Sequence, residues 1–258
     1  METVTSHDGT TIAYDRLGEG PPLVLVAGAS CDRAVDSAIA RALAGHFTVL
    51  NHDRRGRGDS TDTPPFAVER EIEDLDALIA AAGGSAALLG LSSGGALAAH
   101  AAAAGLAVSA LVAWEPPYRL DADGPREARE YAEELRALLA QGRRGDAVVH
   151  FMRRVGLPEE MIDGMRRSPY FAVGEAMAPT LAYDAAIMGD GTVPADRFAE
   201  IGVPALVLAG GASPDWMRDA AVAVAKAIPG AASGILDGQG HDVAPEVLAP
   251  AVRDFVIG

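Results

Sequence analysis

The sequence ALLGLSSGGA, residues 87–96, places two adjacent serines between an apolar run and an alanine-rich segment. A buried strand that turns at once into a helix strains the residue at the corner and brings the flanking backbones close together. Gly90 and Gly94 flank Ser92 evenly, whereas a corner at Ser93 would put Leu91 where a glycine is needed. We therefore predict that Ser92 is a nucleophile, and that the N–H of Ser93 at the helix N-terminus stabilises an oxyanion.

His241 is the histidine best placed to activate that hydroxyl, since a serine is a weak nucleophile without a neighbouring base. It stands in the loop sequence LDGQGHDVAPE, between the last predicted strand and the last predicted helix. In a doubly wound sheet this loop opens at the same carboxyl edge as the turn at Ser92. We predict that His241 is the base and that the other five histidines are surface or packing residues.

Short apolar runs that alternate with helical patterns would position these residues. Strands are predicted at residues 11–16, 22–27, 47–52, 86–91, 108–114, 203–209 and 233–236, and core helices at residues 31–44, 68–82 and 245–256. Strands that alternate with helices favour parallel βαβ units. The pattern predicts an α/β fold with a mostly parallel, doubly wound sheet.

Residues 118–195 have helical patterns only, and strands resume after them. We predict one core domain, formed by residues 1–117 and 196–258, that carries a helical cap or lid. Five of the seven methionines lie in this segment, at positions 152, 161, 165, 177 and 188. Flexible thioethers suit an adaptable apolar pocket, although ordinary helix packing accounts for them equally well.

The composition excludes several classes of partner. A formal net charge of −15 argues against nucleic acid, whose phosphates require a concentrated basic surface. No apolar run is long enough for a membrane span, and the N-terminus lacks the pattern of a secretion signal, so we expect a cytoplasmic protein. Cys31 is the single cysteine, which excludes an internal disulfide. We expect a small-molecule substrate, no metal or cofactor, and a monomer or homodimer.

Four stretches in order along the chain resemble motifs of the α/β-hydrolase superfamily: VLVAGAS, NHDRRGRGDS, GLSSGG and GQGHDV. The resemblance implies an α/β-hydrolase fold with a helical cap. It also implies that Ala29 supplies the second oxyanion N–H, although Ala27-Gly28 replaces the usual His-Gly, and that Ser30 and Cys31 line the pocket. Asp53, Arg54 and Arg55 would brace loops near the site. RGDS at residues 57–60 is then a structural turn and not an exposed recognition tetrapeptide.

The sequence offers two candidates for an acid that would orient His241. Many family members carry an aspartate at the position of Ser213, which cannot act as an anion. In some relatives the acid instead follows the strand after the nucleophile helix, where the sequence LVAWEPPY places Glu115. We favour Glu115 and retain Asp215, two residues beyond Ser213, as the alternative.

These residues together predict a serine hydrolase that acts on an ester, lactone or thioester of a small, largely apolar substrate. Tyr118, Met177 and Met188 are candidate contacts for the substrate in the cap. Two alternatives stay open: a cofactor-free lyase, cyclase or perhydrolase that uses the same pocket, and a hydrolase-like protein that only binds a ligand.

Overall fold

Eight strands form a single sheet in the computed structural model, which describes residues 1–258. The strands are β1 (Glu2–Thr5), β2 (Thr11–Leu17), β3 (Pro22–Val26), β4 (Thr48–His52), β5 (Ala86–Leu91), β6 (Val108–Trp114), β7 (Ala205–Gly210) and β8 (Ala232–Leu236). Their order across the sheet is β1-β2-β4-β3-β5-β6-β7-β8. β2 is antiparallel to both β1 and β4, and all other neighbouring pairs are parallel. The sheet is therefore mostly parallel, as the sequence predicted.

Eleven helices surround this sheet. In chain order they are α1 (Ser37–Leu43), α2 (Val68–Ala81), α3 (Ser93–Ala103), α4 (Gly124–Ala140), α5 (Arg144–Arg154), α6 (Glu159–Arg166), α7 (Phe171–Met177), α8 (Leu181–Met188), α9 (Ala195–Phe198), α10 (Asp215–Ala227) and α11 (Pro245–Val256). Helices α2, α3 and α10 pack on one face of the sheet, and α1 and α11 pack on the other. The sheet is thus covered on both faces, which is typical of parallel sheets.

Alternate residues of the central strands belong to two apolar clusters, one on each face of the sheet. In β3, Val24 and Val26 belong to the cluster beneath α2 and α3, whereas Leu23 and Leu25 belong to the cluster beneath α1 and α11. Successive side chains of a strand point to opposite faces, so a run of apolar residues without polar interruption buries both sides. The edge of the sheet where these strands end is held in place by two packed cores.

Helices α4 to α8, five of the six helices between β6 and β7, form a separate layer, which we call the inserted helices. They bury an apolar cluster of their own that includes Leu135, Val148 and Ile162. Helix α8 then packs on α3, and its Tyr183 ring stacks on Phe66 with ring centroids 3.9 Å apart. The predicted cap boundaries fall just after β6 and at the first residue of α9, and the division into two domains stays a prediction.

Two elements differ from the sequence prediction. The predicted helix at residues 31–44 begins only at Ser37, because the Asp32 carboxylate accepts the backbone N–H groups of Ala34 and Val35 and holds a turn there. Strand β1 was not predicted at all. Its four residues are mostly exposed, so it carries no apolar alternation, and its pairing with β2 defines it.

None of the helices combines the length and the apolar character needed to cross a bilayer.

Candidate active site

The turn between β5 and α3 consists of one residue, Ser92. Its backbone has φ 54° and ψ −124°, a conformation that L-residues rarely adopt. A Cβ atom added at Gly90 would collide with the backbone of Gly94 and Gly95, and one added at Gly94 would collide with the carbonyl oxygens of β3 and the residue after it. The glycines on both sides of Ser92 are therefore required by close backbone contact, as the sequence predicted.

Backbone strain in this protein is concentrated around that turn. Ser30, Ser92 and Glu115 are the only residues other than glycine with a positive φ, at 57°, 54° and 44°. Ser92 and Glu115 directly follow β5 and β6, and Ser30 lies in the loop after β3. All three residues therefore follow parallel strands at the centre of the sheet. Such conformations persist only where the surrounding structure enforces them, and they cluster at functional sites.

His241 and Glu115 are hydrogen-bonded to each other at this edge of the sheet. His241 Nδ1 lies 2.8 Å from Glu115 Oε2, while Glu115 Oε1 accepts the Gly210 N–H at 2.8 Å. The Glu115 side chain is completely buried, and 40% of the imidazole surface is exposed. Asp215, the alternative acid, is 88% exposed and is paired with Arg218. The structure therefore brings Glu115, and not Asp215, to His241.

The environment of Glu115 favours its charged form. Burial raises the pKa of this carboxyl, but hydrogen bonding from His241 and Gly210 and the nearby Ser213 hydroxyl outweigh burial, and the pKa lies below its ordinary value. Ser213 occupies the position at which the resemblance implies an aspartate. Its hydroxyl is buried beside Glu115 without a well-formed hydrogen bond. The carboxylate that contacts His241 thus follows β6, and a neutral hydroxyl stands in the loop after β7.

Trp114 connects Ser92 to His241, a role that the sequence analysis missed. The Ser92 N–H donates to the Trp114 carbonyl at 2.8 Å, and the Trp114 indole N–H donates to the His241 carbonyl at 2.9 Å. The Ser92 hydroxyl itself makes no hydrogen bond to the imidazole in this structure, and such contacts often tighten only when substrate binds. The signal in the sequence was a tryptophan at the buried end of a central strand, directly before Glu115.

Two backbone N–H groups lie beside Ser92. Gly28 packs so closely on the turn that a Cβ added there would be 3.2 Å from the Ser92 Cβ. The N–H of the following residue, Ala29, donates to no protein acceptor. Ser93 is the first residue of α3, so its N–H has no acceptor within the helix. These are the two donors that the sequence analysis assigned to an oxyanion.

The predicted substrate contacts occupy different environments. Tyr118 is buried in the core, where its ring meets the edge of Phe198, and Met188 packs against the same apolar cluster. Met177 is buried at the end of α7, and Ser30 is half-buried beside Ala29. Contact of any of these side chains with a substrate stays a prediction.

The charged residues after β4 are buried in ion pairs. Arg54 forms two hydrogen bonds to Glu71, and Arg55 forms two to Asp74. Arg57, the first residue of the RGDS tetrapeptide, is 1% exposed. This tetrapeptide therefore cannot serve as a recognition sequence on the surface. Nowhere in the chain do three His, Cys, Asp or Glu side chains converge as a metal site would require.

Cys31 and Asp36 lie next to this region and are poor candidates for chemistry. Burial raises the pKa of the Cys31 thiol to about 12, so the thiol stays protonated and unreactive near neutral pH. Burial, reinforced by Asp32, also raises the pKa of Asp36 to about 6. One of its carboxylate oxygens is buried without a hydrogen-bond partner. Folding therefore favours the protonated form of Asp36.

We expect replacement of Asp36 by asparagine to stabilise the protein above about pH 6. The folded pKa exceeds that of the unfolded chain, 3.8, so the wild type loses stability as pH rises between these two values. The gain should reach on the order of 1 to 3 kcal/mol. Urea unfolding from pH 4.5 to 8 measures it, with Asp163→Asn as an exposed control. A gain that does not grow with pH would contradict the assignment.

A family model matches most of the chain. The model of the alpha/beta hydrolase family covers residues 23–251, a range that includes Ala29, Ser92, Glu115 and His241. The chain belongs to the alpha/beta hydrolase family. The matched range contains the ends of β3, β5, β6, β7 and β8.

Solved structures of other hydrolases superpose over the whole chain. An alpha/beta hydrolase from Sphaerobacter thermophilus is 52% identical, with a TM-score of 0.91, and the match covers 98% of this chain and 99% of that one. A hydrolase from Pseudomonas aeruginosa is 25% identical, with a TM-score of 0.78 and coverage of 100% and 98%. A thermophilic esterase from Thermogutta terrifontis is 24% identical, with a TM-score of 0.72 and coverage of 99% and 97%, a likeness of fold alone.

Proposed function

We propose that this alpha/beta hydrolase cleaves carboxylic esters, lactones or thioesters of small, largely apolar substrates, with Ser92 as nucleophile. The observation that carries the proposal is the hydrogen bond between His241 Nδ1 and the buried carboxylate of Glu115. A ring that donates from Nδ1 has Nε2 free to accept a proton, which is the tautomer a serine nucleophile requires.

In the proposed acylation step, the Ser92 hydroxyl oxygen attacks the substrate carbonyl carbon and its proton passes to His241 Nε2. The carbonyl oxygen becomes an oxyanion, and the N–H groups of Ala29 and Ser93 stabilise it. Glu115 stabilises the imidazolium because its carboxylate favours the charged form and is completely buried. The imidazolium then protonates the leaving alkoxide or thiolate, which departs and leaves an acyl-enzyme.

Deacylation repeats these steps with water. His241 takes a proton from the water molecule, the resulting hydroxide attacks the acyl carbon, and the same two N–H groups hold the second oxyanion. Collapse of this intermediate returns the proton to the Ser92 oxygen and releases the acid. No other group is needed, because each proton that His241 accepts is donated again within the same half-reaction.

The inserted helices would act as a lid that shapes the substrate pocket. Their own apolar cluster is packed between the helices, and Met177, with its flexible thioether, is buried at the end of α7. A pocket that Met177 helps to line would favour an aliphatic or aromatic group over a charged one. The esterase likeness at 24% identity concerns the fold, so the proposal depends on the site alone.

A fluorophosphonate probe tests the proposal directly. The intact protein should gain the mass of one phosphonyl group, and peptide mapping should locate it on Ser92 and not on the adjacent Ser93. A panel of p-nitrophenyl esters of graded acyl length, measured with lactones and acyl thioesters, then defines the substrate class. Absence of labelling in folded protein, while a control serine hydrolase reacts under the same conditions, would refute the proposal.

A further inference from the structure

One carboxylate of the inserted helices is linked to both sides of the candidate oxyanion hole, directly on one side and through an arginine on the other. Asp184, on α8, is 6% exposed. Its Oδ1 accepts the Ser93 hydroxyl at 2.9 Å and Arg54 at 2.8 Å, and its Oδ2 accepts Arg57 Nη2 at 2.8 Å. Ser93 and Arg57 are 91 and 127 residues away in the sequence, so this contact exists only in the folded protein.

Arg57 extends the contact to the other side of the hole. Its Nη1 donates to the Gly28 carbonyl at 2.6 Å and to the Cys31 carbonyl at 3.2 Å. Gly28 C=O and Ala29 N–H belong to the same peptide unit. In a planar trans peptide these two groups point in opposite directions. A guanidinium that holds the Gly28 oxygen therefore turns the Ala29 N–H to the opposite side.

Two buried arginines and two buried carboxylates form a charge cluster: Arg54, Arg57, Glu71 and Asp184. Its positive and negative charges are equal in number only when Asp184 is present. Burial and the neighbouring Arg54 cation lower the pKa of Arg57. Burial raises the pKa of Asp184, but the two arginines more than compensate, so its pKa lies below the ordinary value. Loss of Asp184 would leave two guanidinium groups and one carboxylate in a closed interior, and Arg57 would lose its anchor.

We propose that Asp184 is a positioning residue that couples docking of α8 to the alignment of the two oxyanion donors. It holds Ser93 through the serine hydroxyl, and it holds the Gly28–Ala29 peptide through Arg57. The inference deepens the proposed function and rests on it, because the donors matter only if an oxyanion forms. Asp184 itself does not touch the substrate, so its effect is exerted through Ser93 and Arg57.

Asp184→Asn tests this inference with little change of shape. We expect kcat for the preferred ester to fall about 10- to 100-fold with little change in KM, since misaligned donors act on the transition state. Affinity for a boronic acid that forms a tetrahedral adduct should fall by a similar factor. Asp74→Asn is the matched control, because Asp74 also pairs with a buried arginine but does not contact the hole. It should lower thermal stability and leave kcat near the wild-type value.

Ser93→Ala keeps the backbone N–H and removes only the hydroxyl bond, so it serves if Asp184→Asn does not fold. We expect a lower kcat for this variant, and effects that do not add when the two substitutions are combined. Equal loss of kcat in Asp184→Asn and Asp74→Asn, or unchanged kcat in Ser93→Ala, would overturn the inference while wild-type labelling upheld the proposed function.

A readout without substrate separates the two proposals completely. Amide chemical shifts and hydrogen exchange of Ala29 and Ser93 should change in Asp184→Asn and not in Asp74→Asn. If they stay unchanged in both variants, the inference fails whether or not the enzyme hydrolyses esters. If they change while the wild type resists labelling, the positioning is supported and the proposed function fails.

Discussion

Replacement of Ser92 by alanine is expected to lower kcat toward the best ester by about 10⁴- to 10⁶-fold. The substitution removes the proposed nucleophile and leaves the His241–Glu115 pair in place, because these two side chains contact each other and not the serine hydroxyl. Residual turnover would come from the oxyanion donors and substrate binding. Steady-state assays with p-nitrophenyl esters measure the loss, and fluorophosphonate labelling should disappear with it.

Substrate binding should survive in the Ser92→Ala variant. Alanine at position 92 would adopt the same positive φ, so the backbone strain of the turn stays the same. We therefore expect a melting temperature near that of the wild type. Retention of most activity on a natural substrate would indicate chemistry in which His241 acts alone on a carbon acid, which is the lyase or perhydrolase alternative. Ligand binding with no turnover in the wild type would instead indicate a binding protein.

Replacement of Glu115 by glutamine is the second large effect that we expect, a fall in kcat of roughly 10³- to 10⁴-fold. The amide has the same shape, but it removes the charge that stabilises the imidazolium. It can also donate to Nδ1, which would fix the wrong tautomer and leave Nε2 protonated. Measurement of both kcat and the melting temperature of the variant separates this effect from unfolding.

Asp215→Asn is the matched control for Glu115→Gln. The Asp215 carboxylate is exposed and paired only with Arg218 at the start of α10, so its loss should leave kcat close to the wild-type value. A large loss in Asp215→Asn with an intact rate in Glu115→Gln would reverse the assignment of the acid. Loss in neither variant would mean that His241 works without a carboxylate.

Local patterns in the sequence predicted the elements that carry the site. The bounds of β5, β6 and α11 agree with the predicted ranges, because a continuous apolar run or a proline at the first turn marks each of them. The turn at Ser92 was predictable for a related reason: only glycine allows the backbone contacts on either side of it. Periodicity and steric exclusion are short-range properties, and a sequence displays them directly.

Contacts between distant segments were not predictable in this way. The choice between Glu115 and Asp215 depends on which carboxylate reaches His241, and both lie at strand or helix ends that open at the same edge of the sheet. Asp184 was not singled out, because one aspartate in a helical segment is usually a solvated residue. Its role depends on how α8 docks against α3 and the loop after β4, and no local pattern encodes that docking.

The buried charge cluster has a consequence for exchange of the helical segment between relatives. A chimera that carries another protein's residues in place of residues 118–195 keeps Ser92, His241 and Glu115, since all three lie outside the exchanged segment. It would nonetheless leave the retained Arg54 and Arg57 with one negative charge too few, unless the donor helix supplies an acid opposite them. Exchange of this segment for that of a relative therefore requires an acidic residue at the position of Asp184.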